Sequence, residues 1–388
     1  MIYLDHNATT PPCDEALAAM REAARLGWAN PSSVHAAGRA ARRFVDEARE
    51  AVARLAGESP RDVVFTSGGT EANNLGLARP FGGAPGLLVT SRLEHPSVVA
   101  FAEELARRGA VELAWLEPAP GGAITPDALA LALSRRPPGR PALVALHAVH
   151  HETGAVQDVA ALVARAEALG AEVHVDAVQA AGRVPHALWR GGHTTALAAH
   201  KLRGPKGVGA LVTRPGVNAR PILRGGSQER GLRPGTLDAV AVAGFGAAAR
   251  RALEGGPERY AALAPLRDAL EARTLEAGRR LGVAIEPTPV GRRAPHVSHL
   301  LVGGWAGDEL AAALDLEGVC VSSGSACAAG TAEPSPAIVA LVGEARARSS
   351  LRVSLGETSQ PADVDAFVDA LALIIGRRAG PPSTARTT

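Results

Sequence analysis

Short apolar runs alternate with helix-like segments along most of the first 215 residues of the chain. We interpret the runs as buried strands, because the segments between them carry apolar residues at helical spacing. This alternation is typical of an α/β fold built on a mostly parallel sheet. The predicted strands are Val63–Phe65, Leu87–Thr90, Val111–Leu116, Ala142–His147, Glu172–Val175, Thr195–Leu197 and Gly209–Val212. The predicted helices between them are Glu71–Ala78, Ser97–Arg108, Pro126–Ser134 and Asp158–Leu169.

The N-terminal segment precedes this alternation. A short strand is predicted at Ile2–Leu4, followed by a polar turn and by a helix from about Asp14 to Leu26. The segment Asn30–Ser33 looks like a cap for a long helix that ends near Gly57. Small and aliphatic residues recur on one side of that helix, with Arg and Glu opposite, which predicts one buried face.

The pattern changes after Gly235. The predicted elements there are helices at Thr236–Glu254 and Glu258–Leu281, a strand at Val297–Val302, a helix at Asp308–Leu316, a strand at Leu351–Ser354 and a helix at Pro361–Ile375. We interpret them as a smaller α+β domain to which the N-terminal strand returns. The predicted division is a large α/β domain over residues 13–255 with a mostly parallel seven-stranded sheet, a smaller domain of residues 1–12 and 256–376, and a disordered polar tail over residues 377–388.

The composition is that of an ordinary globular protein. The chain has 388 residues, of which 46% are hydrophobic and 21% are charged, and its formal net charge is +2. Because the basic residues are dispersed among acidic ones, no nucleic-acid-binding surface is expected. No apolar run reaches the ~18 to 20 residues of a membrane span, and Met1 leads into the first strand without a signal-peptide pattern. We expect a cytoplasmic protein that does not bind a membrane.

The chain has three cysteines, which are too few and too badly spaced for a disulfide framework or a zinc site. No metal is therefore expected. Cys327 follows the small residues Ser322–Ala326, which predicts an accessible loop in which a thiol is able to react. Cys13 begins a predicted helix and Cys320 lies in an apolar strand pattern, so inert burial is the better prediction for both.

Lysine is rare in this sequence. Lys and Arg together number 41, yet only Lys201 and Lys206 are lysines. Arginine stays protonated, whereas a lysine becomes a nucleophile once burial or neighbouring groups lower its pKa. Lys201 follows a predicted strand end, while Lys206 lies in the Gly-Pro turn behind it and is expected to be exposed. The alternative is that both are ordinary solvated lysines on a loop.

Two further motifs follow predicted strands. Ser67–Glu71 opens a helix with two glycines and a hydroxyl, an arrangement that suits phosphate, although a simple turn is the commoner reading of such a motif alone. Asp176 ends another strand, where it is placed either to bind a ligand or merely to cap the next helix. A phosphate site, a strand-end acid and an isolated lysine in one sheet match the three requirements of pyridoxal phosphate.

Taken together, the motifs resemble the cysteine desulfurases of the class-V aminotransferase family, which have the fold-type-I architecture of pyridoxal phosphate enzymes. The resemblance runs in order over nearly the whole chain. The matching segments are Tyr3–Pro11, Asn30–Ser33, Phe65–Asn74, Glu94–His95, His174–Gln179, His200–Gly207, Gly225–Glu229, Arg233–Thr236, Ser322–Cys327 and Ser350–Gly356.

This resemblance implies a role for each matching residue. Lys201 is expected to hold the cofactor as a Schiff base and to shuttle protons, and His95 to stack on the pyridine ring and assist proton transfer. The remaining expected cofactor ligands are Asp176 for the ring nitrogen, Gln179 for the phenolic oxygen, and Gly69, Thr70, His200 and a partner subunit's Thr236 for the phosphate. Arg352 and Asn30 are expected to bind the substrate, with Arg352 clamping its carboxylate.

The implied reaction is removal of sulfur from L-cysteine, with Cys327 as the nucleophile. Its products are L-alanine and a persulfide on Cys327, whose sulfur passes to an acceptor protein for iron–sulfur cluster assembly or for thiolation of tRNA or a cofactor. The resemblance also implies a homodimer. The alternatives are a selenocysteine lyase or another β-lyase on the same fold, and a non-catalytic binding or assembly subunit.

Two residues depart from the family pattern. The family has Asn before the Glu of its Asn-Asn-Glu-x-Gly motif, where this chain has His151, which is still able to donate to the phenolic oxygen or the substrate carboxylate. The family has Ser three residues before the lysine, where this chain has Ala198. Since that change removes one hydrogen bond to phosphate, we expect weaker cofactor retention with activity preserved.

Overall fold

The structure is a computed structural model that describes residues 1–78, 85–217, 219–324 and 333–379. The strands, in chain order, are β1 (Ile2–Tyr3), β2 (Val63–Thr66), β3 (Gly86–Ser91), β4 (Val111–Leu116), β5 (Ala142–His147), β6 (Glu172–Asp176), β7 (Thr194–Ala198), β8 (Gly209–Thr213), β9 (Ile285–Pro287), β10 (Val297–Val302), β11 (Val319–Cys320) and β12 (Ser350–Ser354).

The helices occupy much of the remaining chain. They are α1 (Asp14–Leu26), α2 (Ala36–Ala56), α3 (Gly69–Leu77), α4 (Pro96–Arg107), α5 (Pro126–Leu133), α6 (Val159–Ala168), α7 (Ala239–Leu253), α8 (Gly256–Ala261), α9 (Ala264–Leu281), α10 (Gly307–Leu316), α11 (Pro336–Val342), α12 (Glu344–Ala347) and α13 (Pro361–Ala379). Among the described residues, no helix combines the length and the apolar character that crossing a membrane requires.

The seven-stranded sheet has the order β2-β8-β7-β6-β5-β3-β4. Strand β8 is antiparallel to both of its neighbours, and the other pairs are parallel. This confirms the predicted α/β class with a mostly parallel sheet. The sheet is buried on both faces, as in its fully buried strands β5 and β7, which explains why its strands appear in the sequence as continuous apolar runs.

The described chain divides into two compact units. The larger unit comprises Thr9–His150 and Val156–Glu258, and the smaller one comprises Met1–Ala8, His151–Ala155 and the described residues from Arg259 onward. Residues 151–155 thus lie in the smaller unit, whereas the sequence analysis assigned them to the large domain. The Gly154 carbonyl accepts from the Ala294 amide, and Ala155 forms a bridge with Arg293, which holds this segment there. Whether the units fold as separate domains stays a prediction.

The smaller unit has its own core between two small sheets and three helices. Strand β10 lies between β9 and β12, and β1 pairs in parallel with β11. Its buried apolar side chains come mainly from β10, β12, α9, α10 and α13. Helix α13 continues to Ala379, past the predicted end at residue 375, and residues 380–388 of the predicted tail lie outside the described residues.

Two helix predictions are wrong in detail. The helix predicted from Glu258 to Leu281 is divided into α8 and α9, and Pro265 stands in the first turn of α9, where its missing N–H is tolerated. Helix α2 is capped by His35, whose Nδ1 accepts from the Gly38 amide, and not by Asn30–Ser33. The Asn30 side chain instead accepts from the Ser32 amide in a local turn.

Candidate active site

The two lysines lie in different environments after strand β7. A 3₁₀ turn over Ala199–Lys201 follows the strand, and a backbone bond from Gly204 to the Ala199 carbonyl closes the turn behind it. Lys201 is half-buried, whereas Lys206 is exposed. The Lys201 carbonyl accepts a hydrogen bond from Arg183 Nε at 3.1 Å, which fixes the backbone that carries the amine.

Asp176 ends the neighbouring strand β6 and is buried. Its Oδ1 accepts from the Val178 amide at 2.9 Å, and its Oδ2 accepts from Asn73 Nδ2 at 2.8 Å. The sequence alternative of a helix cap is therefore only partly right, because the acid caps a turn with one oxygen alone. Two donors hold this carboxylate in one orientation, which suits it to pair with a protonated pyridine nitrogen.

The N-terminus of α3 is the predicted phosphate site. No side chain among the described residues caps this end of the helix, so its first amides and its positive dipole end are suited to an anion. A Cβ atom added to Gly69 would lie 2.8 Å from Val178 Cγ2, so glycine is required there. Glu71 binds the Ser67 amide and pairs with Arg233, which orders the loop that enters the helix.

His95 caps helix α4 and is half-buried. Its Nδ1 accepts from the Ser97 amide at 3.1 Å and lies 2.8 Å from Ser97 Oγ. Because an amide N–H only donates, Nδ1 carries no proton, and the neutral ring has its proton on Nε2. A histidine in a fixed tautomer suits the proton-transfer role predicted for it.

His200 precedes the lysine and is neutral near pH 7. Burial, and then the charges of Lys201 and Arg183, lower its pKa to about 3. Its Nδ1 lies 3.2 Å from Thr9 Oγ1. A neutral imidazole is able to donate one hydrogen bond to a phosphate oxygen, which fits the predicted role without adding a charge.

Gln179 is oriented by a residue that the sequence reasoning missed. Arg183 is almost fully buried, and its Nη1 donates to Gln179 Oε1 at 2.5 Å. Since a guanidinium only donates, the amide oxygen of Gln179 faces Arg183 and its NH₂ group is the remaining donor. That orientation suits the phenolic oxygen of pyridoxal phosphate. The spacing of four residues between the two is the only sequence signal that points to this pair.

Thr236 and Asn30 are both exposed. Thr236 lies in the loop before α7. Glu229 anchors that loop to β2 by accepting from the Phe65 amide at 2.7 Å, and to α2 by accepting from Arg49 at 2.5 and 3.0 Å. Glu229 has a positive φ of 48°, a strained conformation that these bonds compensate. The roles of Thr236 toward a partner subunit and of Asn30 toward substrate stay predictions.

Arg352 belongs to the smaller unit and is buried on β12. Its Nη2 donates to Asp5 Oδ1 at 2.7 Å, and its Nη1 donates to the His151 carbonyl at 3.1 Å. Its Nε is buried and has no acceptor among the described residues. A buried donor without an acceptor is costly, so this guanidinium is suited to a further carboxylate.

The His151 ring lies beside a carboxylate. Its Nε2 is 3.3 Å from Oε1 of the fully buried Glu152, and its carbonyl also accepts from Asn7. The carbonyl of His151 therefore helps to hold Arg352 and Asn7, a contribution that its side-chain chemistry alone does not reveal. The predicted contact of the His151 ring with the cofactor stays a prediction.

Cys327 lies outside the described residues. The other two cysteines are poor nucleophiles: burial raises the pKa of the Cys13 thiol, and burial together with Asp315 raises that of Cys320. The described residues contain no group of three His, Cys, Asp or Glu side chains that is arranged to hold a metal ion.

A strand-end lysine, a fixed carboxylate on the adjacent strand and an uncapped helix N-terminus define the kind of site that binds pyridoxal phosphate. The chain belongs to the class-V aminotransferase family, whose model matches residues 2–367. Pyridoxal phosphate is the cofactor of this family. Family, fold type and cofactor are thereby confirmed as the sequence predicted them.

Individual relatives match nearly the whole chain. It is 37% identical over 385 residues to the IscS-like cysteine desulfurase of Mycobacterium tuberculosis, covering 97% of each chain. It is 41% identical over 391 residues to the cysteine desulfurase of a Frankia species, covering 97% of this chain and 92% of that one. The structure of a NifS-like protein from Rickettsia africae is 28% identical, with a TM-score of 0.84 and coverage of 96% and 99%.

Ala198 offers a direct test of the phosphate site. Its Cβ would lie 3.5 Å from a Cβ added to Gly69, so its side chain is adjacent to the N-terminus of α3. The substitution Ala198→Ser is expected to tighten binding of pyridoxal phosphate at least about tenfold, because a hydrogen bond to a charged group is worth ~1.5 to 3 kcal/mol. Titration of the apoprotein with pyridoxal phosphate measures the change.

The neighbouring substitution Ala199→Ser is the matched control, since Ala199 is equally buried. It is expected to leave cofactor affinity within about twofold of the original value. Equal affinity of the Ala198→Ser variant and the unsubstituted protein would show that the phosphate does not lie beside Ala198.

Proposed function

We propose that this protein is a cysteine desulfurase that takes sulfur from L-cysteine, releases L-alanine and passes the sulfur through Cys327 to an acceptor protein. The observation that carries the proposal is the match of the chain, over 97% of its length, to relatives named cysteine desulfurase. The geometry of Lys201 and Asp176 supports it. We further propose that the protein acts in the cytoplasm as a homodimer, and that its acceptor serves iron–sulfur cluster assembly or thiolation of tRNA or a cofactor.

Bound at this site, pyridoxal phosphate supplies an electron sink for the charge that remains when the substrate Cα loses its proton. The Lys201 amine would hold the cofactor covalently and would take the proton from the substrate Cα. The Asp176 carboxylate would pair with the ring nitrogen of the cofactor, and two hydrogen bonds hold that carboxylate in place. His95, with its ring proton on Nε2, would contact the cofactor and assist proton transfer.

Arg352 is proposed to bind the substrate carboxylate. Its Nε–H is buried and has no acceptor among the described residues, while Asp5 occupies one side of its Nη2. The Asp5 carboxylate offsets the buried positive charge before substrate binds and orients the fork. A substrate carboxylate that accepts from Nε would supply the acceptor that this buried donor lacks among the described residues.

Sulfur transfer is proposed to occur at Cys327. The Cys327 thiolate attacks the substrate sulfur, an S–S bond forms and the C–S bond breaks. The electron pair of the C–S bond stays with the three-carbon product, which is protonated and leaves as L-alanine. The persulfide then passes its outer sulfur to an acceptor thiol.

The proposal is tested by supplying L-cysteine to the protein loaded with pyridoxal phosphate. We expect alanine release, stoichiometric sulfide in the presence of a dithiol, and one additional sulfur on the Cys327 peptide by mass spectrometry. Selenocysteine turnover that exceeds cysteine turnover and does not need Cys327 would instead indicate a lyase. Protein that does not bind pyridoxal phosphate at all would indicate a non-catalytic subunit.

A further inference from the structure

A network of buried hydrogen bonds is centred on the side chain of Asn73 on helix α3. Asn73 Nδ2 donates to Asp176 Oδ2 at 2.8 Å and to Ser97 Oγ at 2.9 Å. Its Oδ1 lies 3.0 Å from His174 Nε2, and His174 Nδ1 lies 2.9 Å from Thr194 Oγ1. Asn73 and His174 are both at least 99% buried, so solvent does not compete for these bonds.

The direction of each bond follows from its acceptors. A carboxylate only accepts, so the Asp176 contact places the NH₂ group of Asn73 toward it and the amide oxygen toward His174. His174 Nε2 therefore carries a proton. Ser97 Oγ accepts from Asn73, which leaves its own O–H to donate to His95 Nδ1 at 2.8 Å. The Asn73 amide is thus satisfied by one acceptor on Asp176, one on Ser97 and one donor on His174.

The packing around Asn73 is specific to this arrangement. One turn further along α3, a Cβ atom added to Gly76 would lie 2.4 Å from the His174 ring. Glycine at that position makes room for the imidazole, which in turn holds the Asn73 oxygen. The pair at spacing i, i+3 faces the same side of the helix. The hydrogen-bond network also connects three elements of the larger unit, namely helix α3 of the phosphate site, the end of β6 and the start of α4.

We propose that Asn73 is a positioning residue for the cofactor ring, which aligns the Asp176 carboxylate and, through Ser97, fixes the tautomer and orientation of His95. This inference rests on the site assigned under the proposed function. Asn73 itself does not touch the reacting atoms. It couples helix α3, whose N-terminus is the predicted phosphate site, to Asp176 and His95. These two side chains are assigned to the edge and the face of the pyridine ring.

The test compares two adjacent asparagines on α3. Asn74 donates from its side chain to the backbone carbonyl of Ser97 and makes none of the side-chain hydrogen bonds described above, so Asn74→Ala is the matched control for Asn73→Ala. Titration of each apoprotein with pyridoxal phosphate, without substrate, measures affinity. Asn73→Ala is expected to weaken binding about tenfold or more, since a hydrogen bond to a charged group is lost, and Asn74→Ala is expected to stay within about twofold of the unsubstituted protein.

The nearly isosteric substitution Asn73→Asp gives a signature that a merely structural role would not produce. It places two carboxylates at hydrogen-bond distance, which then share one proton. The visible absorbance of the bound cofactor is expected to gain a titration step that the unsubstituted protein and the Asn74→Ala variant lack. The Asn73→Asp variant also tests the proposal if Asn73→Ala fails to fold, because it preserves the side-chain volume.

Two results together would overturn the proposal: equal affinities of Asn73→Ala and Asn74→Ala, and an unchanged pH profile in Asn73→Asp. Asn73 would then be a structural residue only. Because both readouts use pyridoxal phosphate alone, they are independent of the reaction with cysteine. Failure to release alanine would refute the desulfurase proposal and leave these measurements intact.

Discussion

Replacement of Lys201 by alanine is expected to abolish covalent attachment of pyridoxal phosphate and to lower turnover of L-cysteine by several orders of magnitude. The chain has only two side-chain amines, and the other, Lys206, is exposed. The other 39 of the 41 Lys and Arg residues are arginines, whose guanidinium groups stay protonated and are unable to replace the Lys201 amine.

Borohydride reduction followed by mass spectrometry locates the attachment. We expect the cofactor on the Lys201 peptide, and we expect the Lys201→Ala variant to hold pyridoxal phosphate only reversibly. Lys206→Ala is the matched control, and it is expected to keep both the attachment and most of the activity. Label on Lys206, or full turnover by the Lys201→Ala variant, would contradict the assignment.

The sheet was predictable because its strands are buried on both faces and therefore appear as apolar runs separated by helical patterns. The direction of β8 was not predictable in this way, since an antiparallel strand in the sheet interior has the same apolar pattern as its parallel neighbours. The division of α8 from α9 has a local signal in Pro265, which the helical periodicity on either side conceals.

The candidate site was likewise only partly predictable from the sequence. Lys201, Asp176 and the start of α3 each follow a strand, so their sequence positions suggested that they act together. Asn73 and Asp176 are 103 positions apart in the chain, and no local pattern indicates that a helical asparagine binds a particular carboxylate. Contacts of this kind depend on the packing of a helix on a strand, which a single sequence does not specify.

The substitution Cys327→Ala is expected to abolish alanine release from L-cysteine while cofactor binding stays within about twofold of the unsubstituted protein. The thiolate is the only proposed nucleophile toward the substrate sulfur, whereas the residues assigned to the cofactor lie elsewhere in the chain. Titration with pyridoxal phosphate and an alanine assay on the same preparation separate the two effects.

The other two cysteines supply matched controls. Cys13 is buried and Cys320 is half-buried, and burial raises the pKa of both thiols, so neither forms the thiolate readily near pH 7. Cys13→Ala and Cys320→Ala are therefore expected to keep most of the turnover. Full activity of Cys327→Ala would refute the sulfur-transfer step.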